Sequence, residues 1–412
     1  MSRINDLIKE MCPNGVRYYK LSEVGNQFSG LSGKSKKDFE DGNCKYITYT
    51  NIYNNPSTNL DVEDYVQVKE NEKQNEIKYK DILIAGSSEN LEDSGMISVV
   101  TEEPNDQIYL NSFCFGFRLN DIFYNKYNPD FLKHLFRDKT FRNEIISCSF
   151  GVTRYNLSKE KFLKIKIPCP PLEVQEEIVK ILDKFGELEA ELEAELEVRE
   201  SQYEFWRGKL FEIKDAKEVR LDELFNLKNG FTPSKSNSEF WKNGTIPWFR
   251  MEDIRENGRI LDDSIQHVTV EATKGNIMPA NSIIISTSAT IGEHALITCK
   301  SLSNQRFTYL MLKDEYKNFV DMKYIFYHCF LLDKYCLGNL NQGNFASIDM
   351  NAFKKYIFKI PSLEKQKKIV SILDRFDNLT SNITIGLPAE IELRRKQYEY
   401  YRNKLLSFEE LR

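Results

Sequence analysis

Leu172–Phe185 reads LEVQEEIVKILDKF, and 191 residues later Leu363–Phe376 reads LEKQKKIVSILDRF, identical at nine of fourteen positions. A second pair follows: Arg199–Leu210, RESQYEFWRGKL, returns as Arg394–Leu405, RRKQYEYYRNKL, with seven of twelve identities. A period of this length makes the chain two copies of one unit, each a variable body followed by a helical segment. The bodies take residues 1–166 and 214–359, and the helical spacers residues 167–213 and 360–412.

The spacers carry the clearest local signals. Ile167-Pro168-Cys169-Pro170-Pro171 stops the first body and sets the entry to a helix. Val174, Ile178, Ile181, Leu182 and Phe185 then recur as a helical stripe, matched by Ile369, Ile372, Leu373 and Phe376. Three tetrads beginning at Leu188, Leu192 and Leu196 follow in the first copy. From there Leu192, Leu196, Arg199, Tyr203, Trp206 and Leu210 fall at alternating four- and three-residue steps, and Ile391, Arg394, Tyr398, Tyr401 and Leu405 keep that rhythm in the second copy. This is a coiled-coil seam, and two like seams are expected to pack on each other, antiparallel. Gly386-Leu387-Pro388 replaces the tetrads of the first copy and should interrupt the second helix.

The 412 residues suffice for two or three domains with real cores, and 41% hydrophobic with 29% charged residues is the balance of folded protein. The opening MSRINDLIKEM lacks an apolar leader, no run approaches membrane-spanning length, and eight scattered cysteines show no CxxC spacing. Reduced thiols and a cytoplasmic home are the expectation. The net charge of −5 is concentrated: residues 173–200 hold eleven acids against three bases. The bodies are thereby left free to carry local basic surface.

Within the first body Tyr46–Ile52 alternates like a strand, Asp81–Ser88 (DILIAGSS) reads as a buried strand running into a loop, and Ile97–Val100 and Phe113–Phe117 as further strands. Asp130–Asn143 reads as helix. The second body repeats this order: Trp248–Ile254 stands for Tyr46–Ile52, and Asn281–Ser288 (NSIIISTS) for Asp81–Ser88. Loops and surface residues differ far more between the bodies than between the helices. Such a contrast suits the reading of two different things at a fixed separation.

No catalytic constellation emerges. Gly30–Ser35 hints at a phosphate loop, but the glycine required five residues before Gly33 is Phe28. There is no Asn/Asp-Pro-Pro-aromatic tetrad, no HExxH, no G-x-S-x-G and no metal-spaced Cys/His set. Binding residues are better represented. Ser32, Lys34, Ser35, Lys36 and Lys37 form a loop suited to phosphates, and Thr232, Ser234 and Lys235 occupy the matching loop. Arg250, Glu252, Asp253, Asn304, Gln305 and Arg306 in the second body are of types that read base edges, and Tyr49, Asn51, Ser87 and Ser88 in the first and Thr287 and Ser288 in the second are further candidates for DNA contact. Thr153, Arg154 and Tyr155, and Asn341, Gln342 and Asn344, lie in loops shortly before each spacer.

The layout resembles the specificity subunits of type I restriction–modification systems, across nearly the whole chain. The resemblance rests on the IP…LExQ…IVxILDxF segments, the QYExxRxKL helices, and bodies holding IPWFRMEDI and NSIIISTSATIG. It implies an α+β fold: two similar target recognition domains of mixed β structure, joined by two long helices in an antiparallel coiled coil with a pseudo-two-fold repeat. It also implies a non-catalytic chain in which each domain reads half of a bipartite site in double-stranded DNA. The helices would set the gap and dock two methyltransferase subunits. Gln175, Ile178, Leu182, Gln366, Ile369 and Leu373, with the seam residues, are the candidates for coil or partner contact. No cofactor is expected on this chain: S-adenosylmethionine would come with the methyltransferases, and ATP and Mg²⁺ with a translocase–nuclease subunit. The residues themselves leave open an autonomous DNA-binding regulator, an enzyme with an unrecognised site, or a silent recombination product.

Overall fold

In the computed structural model, which describes residues 2–341, 347–381 and 385–411, the repeated segments form three helices: α1 (Leu172–Lys209), α2 (Leu363–Thr380) and α3 (Leu387–Leu406). α1 runs unbroken for 38 residues, about 57 Å at 1.5 Å per residue. The expected interruption is present in the second copy, between Thr380 and Leu387. Pro388 falls in the first turn of α3, where its missing N–H costs no hydrogen bond. Among the described residues no helix is long and apolar enough to cross a membrane.

The fold separates into two compact units, Met1–Glu193 with Glu390–Arg412, and Ala194–Ala389. Each unit therefore takes one helical segment from each repeat. In the first, Phe185 of α1 lies 6.3 Å from Tyr398 and 5.3 Å from Tyr401 of α3, while Arg395 bridges Glu189 (2.6 Å) and Glu193 (2.5 Å). Rising numbers on α1 meet falling numbers on α3, so this pairing is antiparallel. In the second unit Tyr203 of α1 stacks on Phe376 of α2 at 5.8 Å, which is the first unit's Phe185–Tyr398 pair with the repeats exchanged.

This corrects the expected like-on-like seam. Two helical copies running in the same order, once antiparallel, must set each ILDxF stripe against the other copy's QYE seam. Accordingly Val174, Ile178 and Leu182 are fully buried in one core with Leu405 and Leu406, and Ile369 and Leu373 in another with Tyr203 and Phe211. Each such aliphatic side chain contributes about 1.5–3 kcal/mol by burial.

Both bodies are built on an antiparallel sheet. In the first the strand order is Gly25–Ser29, Cys114–Leu119, Ile82–Ala85, Ile97–Val99. In the second it is Phe225–Asn229, Phe307–Leu312, Ser282–Ser286, His294–Ile297, with Ile260–Leu261 added in parallel. The central strand buries both faces: Ile82 and Ile84 face the helices, Leu83 and Ala85 a second cluster, as the two-residue period requires. A smaller sheet in each body includes one parallel pair, Cys44–Ile47 with Ile108–Leu110 and Ile246–Phe249 with Leu302–Ser303.

Three expectations shift in detail. The strand at Tyr46–Ile52 ends at Ile47, because the Thr48 side chain accepts from the Asn51 N–H and caps a helix, Tyr49–Asn54. The helix over Asp130–Asn143 is two helices, Pro129–Arg137 and Lys139–Ser147, divided by the extended, capping Asp138. The match of Asp81–Ser88 to Asn281–Ser288 slips by one residue. Ile82 pairs with Phe117 as Ile283 pairs with Leu310, and the left-handed residues Lys80 and Asn281 are equivalent. The body boundaries at 166/167 and 359/360 fall inside strands Lys166–Pro168 and Ile357–Ile360, which pair with Tyr18–Lys20 and Lys217–Arg220.

The second unit contains a buried imidazole with a consequence for stability. His328 is 3% exposed, 3.3 Å from the Tyr356 hydroxyl, and burial pushes its pKa down to about 4. The unfolded chain protonates this side chain near pH 6.5, whereas the folded unit resists until about pH 4. Its contribution is thus complete above pH 6.5 and is lost on acidification, by roughly 3 kcal/mol at pH 4. All three tryptophans, Trp206, Trp241 and Trp248, lie in this unit. Urea midpoints followed by tryptophan fluorescence should fall between pH 7 and pH 4, and fall less in His328→Phe.

Candidate nucleic-acid interface

In the first unit a cleft of about 620 Å³ is lined by Tyr49, Tyr53, Ser87, Ser88, Glu89, Asn90, Asp93, Phe113 and Arg154. Four of the expected residues, Tyr49, Ser87, Ser88 and Arg154, thus converge from three separate stretches of chain. Tyr49 stands at the start of the short helix that Thr48 caps, and its ring stacks on Tyr53 at 6.3 Å. Ser87 and Ser88 form a short strand pairing with Asn156 and Tyr155. Arg154 donates to Ser87 Oγ (3.0 Å), and its guanidinium sits 5.7 Å from the centre of the Phe113 ring. The wall combines aromatic faces, hydroxyls, carboxylates and one guanidinium, the groups that contact base edges. Thr153 is exposed beside Arg154.

The lysine loop is a built structure with one of its cations already engaged. Lys34 Nζ donates to Gln67 O and Glu72 Oε2, both at 2.6 Å, and its side chain is 5% exposed. That ammonium, with Gln74 and the Lys69 N–H, holds the Glu72 carboxyl down to about 2. Ser35 donates through both N–H and Oγ to Asp38, and Ser32 is clasped by Gln74. Lys36 and Lys37 remain exposed.

Asn51 and Asp253 occupy equivalent positions, and both are directed inward. Asn51 donates to Asn59 O and accepts from Asn59 N–H; Asp253 accepts from Arg250 N–H and Ile265 N–H, at 2.6 Å each. Both are buried, at 8% and 0% exposure, so their polar groups shape loops and are withdrawn from solvent.

The remaining residues of the second unit are spread over several loops. Thr232 bonds Gln305, Ser234 bonds Ser236, and Lys235 is exposed. Arg250 lies 5.7 Å over Trp248, with Glu252 3.9 Å from its Nε. Thr287 meets Thr308 and Arg306 O, Ser288 pairs with Ser347, and Asn341 bonds Ser347 and Ile348. Gln342 and Asn344 lie outside the described residues. Asn304 Oδ1 accepts from the Arg306 N–H at 3.0 Å, turning the Gln305 and Arg306 side chains outward.

On the helices, Gln175 and Gln366 are the same device twice, each fully buried. Gln175 accepts from Asn128 N–H and donates to Lys126 O and Pro170 O, at 2.8 Å each. Gln366 accepts from Asp321 N–H at 2.9 Å and donates to Phe319 O and Pro361 O at 2.8 Å. These glutamines bolt the spacer helix to the loop before the body's helix, and their groups are used within the chain. Of the seam residues, Tyr203, Ile391 and Leu405 are buried; Leu192, Leu196, Leu210, Tyr398 and Tyr401 are half-buried; Trp206 is exposed.

Sequence reading missed three features. Phe113 is 62% exposed at the tip of a turn; its signal was the Asn two residues earlier, shared with Asn304 and Arg306. A second cleft, about 550 Å³, gathers Lys133, Arg137, Arg142 and Arg402. Burial, with Arg142 and Arg402 nearby, lowers the Arg137 pKa to about 10. Finally, exposed apolar residues recur at matching helix positions: Leu172 and Leu363 (39% and 37%), Val198 and Leu393 (53% and 56%), Phe205 and Tyr400 (60% each).

Residues 13–198 and 213–393 each match the type I restriction modification DNA specificity domain, and the chain belongs to that family. Among its relatives is the EcoprrI type I restriction enzyme specificity subunit of Escherichia coli, 52% identical over 210 residues, covering 49% of this chain and 52% of that one. The Escherichia coli EcoR124I/EcoR124II specificity subunit is 40% identical over 274 residues, covering 60% and 63%. The chain therefore spans between about half and two-thirds of the length of these two relatives. A chain solved in a study of complex assembly and conformational transition of the type I R-M system superposes with a TM-score of 0.67 at 17% identity, over 96% of this chain and 98% of that one. It supports the two-domain α+β fold with its long helices.

The glutamine bolts yield a direct test. Gln175→Leu leaves three backbone groups without this partner, one of them buried and two part-buried, and should destabilise the first unit by about 2–3 kcal/mol, read by hydrogen exchange across residues 121–182. Gln366→Leu should do the same to the second unit, read by tryptophan fluorescence. Lys36→Ala with Lys37→Ala, both exposed, should shift stability by no more than about 0.5 kcal/mol.

Proposed function

We propose that this chain is the sequence-specific DNA-recognition and scaffold subunit of a type I restriction–modification complex. Each unit reads one half of a bipartite target in double-stranded DNA, and the chain itself performs no catalytic step. The observation that carries this reading is the pair of similarly framed bodies with different outward side chains, joined by one uninterrupted helix. The aromatic and hydroxyl cleft would meet base edges, while the exposed Lys36 and Lys37 would meet phosphates.

The helices are the docking surface in this reading. Exposed apolar residues at matching positions of both repeats fit one kind of partner bound twice, and the family points to methyltransferase subunits. Those subunits would bring S-adenosylmethionine, and a translocase–nuclease subunit ATP and Mg²⁺, in the cytoplasm beside the chromosome.

The test is a map of methylated bases after co-expression with the methyltransferase encoded alongside. Two short half-sites around a fixed degenerate gap are expected. A continuous motif would overturn the two-unit reading, and no methylation with both proteins soluble would favour an autonomous binder. The helix also predicts the gap. Deleting Leu192–Glu195 removes one tetrad, about 6 Å of rise and roughly 40° of rotation. The gap should shorten by one or two base pairs, since each advances the duplex about 3.4 Å; an unchanged gap would exclude α1 as the ruler.

A further inference from the structure

The turn that ends in Phe113 and the turn that ends in Arg306 are one backbone structure carrying two different side chains. Leu31 N–H donates to Leu110 O and Phe231 N–H to Ser303 O, both at 2.7 Å; Asn111 N–H donates to Ile47 O and Asn304 N–H to Phe249 O, both at 3.0 Å. The turn closes through Cys114 N–H to Asn111 O in one unit and Phe307 N–H to Asn304 O in the other. The Asn side chain then accepts from the N–H two residues on, Phe113 at 2.9 Å and Arg306 at 3.0 Å. Lastly, Phe113 O accepts from Gly86 N–H and Arg306 O from Thr287 N–H. Gly30 and Gly230 pack so closely on this turn that a Cβ would lie 2.1 Å from Asn111 O and 2.0 Å from Asn304 O, so the approach is locked in both units.

Such a frame fixes where the side chain starts and leaves its chemistry free. At this point the first unit places a large aromatic ring, 62% exposed, against the cleft that holds Tyr49, Ser87 and Arg154. The second places an exposed guanidinium for which no side-chain hydrogen bond or ion pair is found among the described residues. A phenylalanine held in water and a guanidinium without a carboxylate both gain by meeting a ligand. Resting on the DNA-recognition reading above, we propose that positions 113 and 306 are the equivalent specificity-determining positions of the two units. Arg306 selects a guanine through its O6 and N7 acceptors, and Phe113 selects a thymine through its methyl group. The two half-sites accordingly differ at the corresponding base.

The experiment maps methylated bases for the full chain co-expressed with its methyltransferase, comparing wild type with Phe113→Arg, Arg306→Gln and Arg306→Lys. Phe113→Arg should change one base of one half-site toward guanine, and Arg306→Gln one base of the other half-site toward adenine. Each should lower methylation of the original site about tenfold or more and leave the gap and the opposite half-site unchanged. Arg306→Lys, which keeps a cationic donor to guanine, should retain the wild-type motif at lower yield. Wild-type half-sites retained in both Phe113→Arg and Arg306→Gln, or methylation reduced evenly with no change of base preference, would overturn the assignment. A wild-type chain that yields no split motif would instead overturn the functional reading, and this assignment with it.

Discussion

Antiparallel packing of a repeated helix imposes one rule on this molecule: each end of one copy must lie against the opposite end of the other. Phe185 therefore meets Tyr398 and Tyr401, and Phe376 meets Tyr203. The first unit is not a contiguous stretch of sequence, whereas the second runs unbroken from Ala194 to Ala389. The first is completed by the last helix of the chain and the second by the far half of α1. The fourteen-residue and twelve-residue repeats are conserved against each other because each segment must fit the same counterpart twice. Leu182 and Leu405 in one core, and Leu373 and Tyr203 in the other, express that requirement in packing. The Arg395 bridges to Glu189 and Glu193 lie on the surface and set register more than stability.

The same economy governs the bodies. A central strand buried on both faces, a turn locked by glycine and asparagine, and a glutamine bolted to three backbone groups recur at matching positions. The invariant parts are backbone hydrogen bonds and buried side chains. What varies is what faces outward: Phe113 against Arg306, and the lysine loop against a serine-rich one. A frame so rigid lets a side chain change without moving its neighbours, a physical prerequisite for a domain that reads different DNA sequences.

Much of this was legible in the sequence. The repeat, the helices, the break near Pro388 and the order of the bodies follow from spacing and from proline. The lost detail has identifiable causes. The seam was expected to pair with its like because periodicity marks an apolar face and says nothing of which face lies opposite. Asn51, Asp253 and Lys34 were expected to face DNA, and Gln175 and Gln366 a coil or partner, since a polar residue in a loop or on a helix has the same letter whether it points outward or in. Lys34, Gln175 and Gln366 take partners tens of residues away, such as Gln67 for Lys34 and Asn128 for Gln175, while Asn51 and Asp253 turn in toward nearby loops through Asn59 and Ile265. Phe113 was hidden for the converse reason: next to Cys114–Leu119 it reads as the first residue of a strand, and only the turn exposes it.

The crossed composition of the units is tested most directly by hydrogen exchange on a chain carrying Leu405→Asp, a charge placed in the first unit's core from the end of α3. The account predicts faster exchange across Val174–Leu182 and Phe131–Phe136, with Tyr203–Leu210 and Ile369–Leu373 unchanged. Loosening of Tyr203–Leu210 instead, with Val174–Leu182 still protected, would mean that the seams pair like with like and would contradict it.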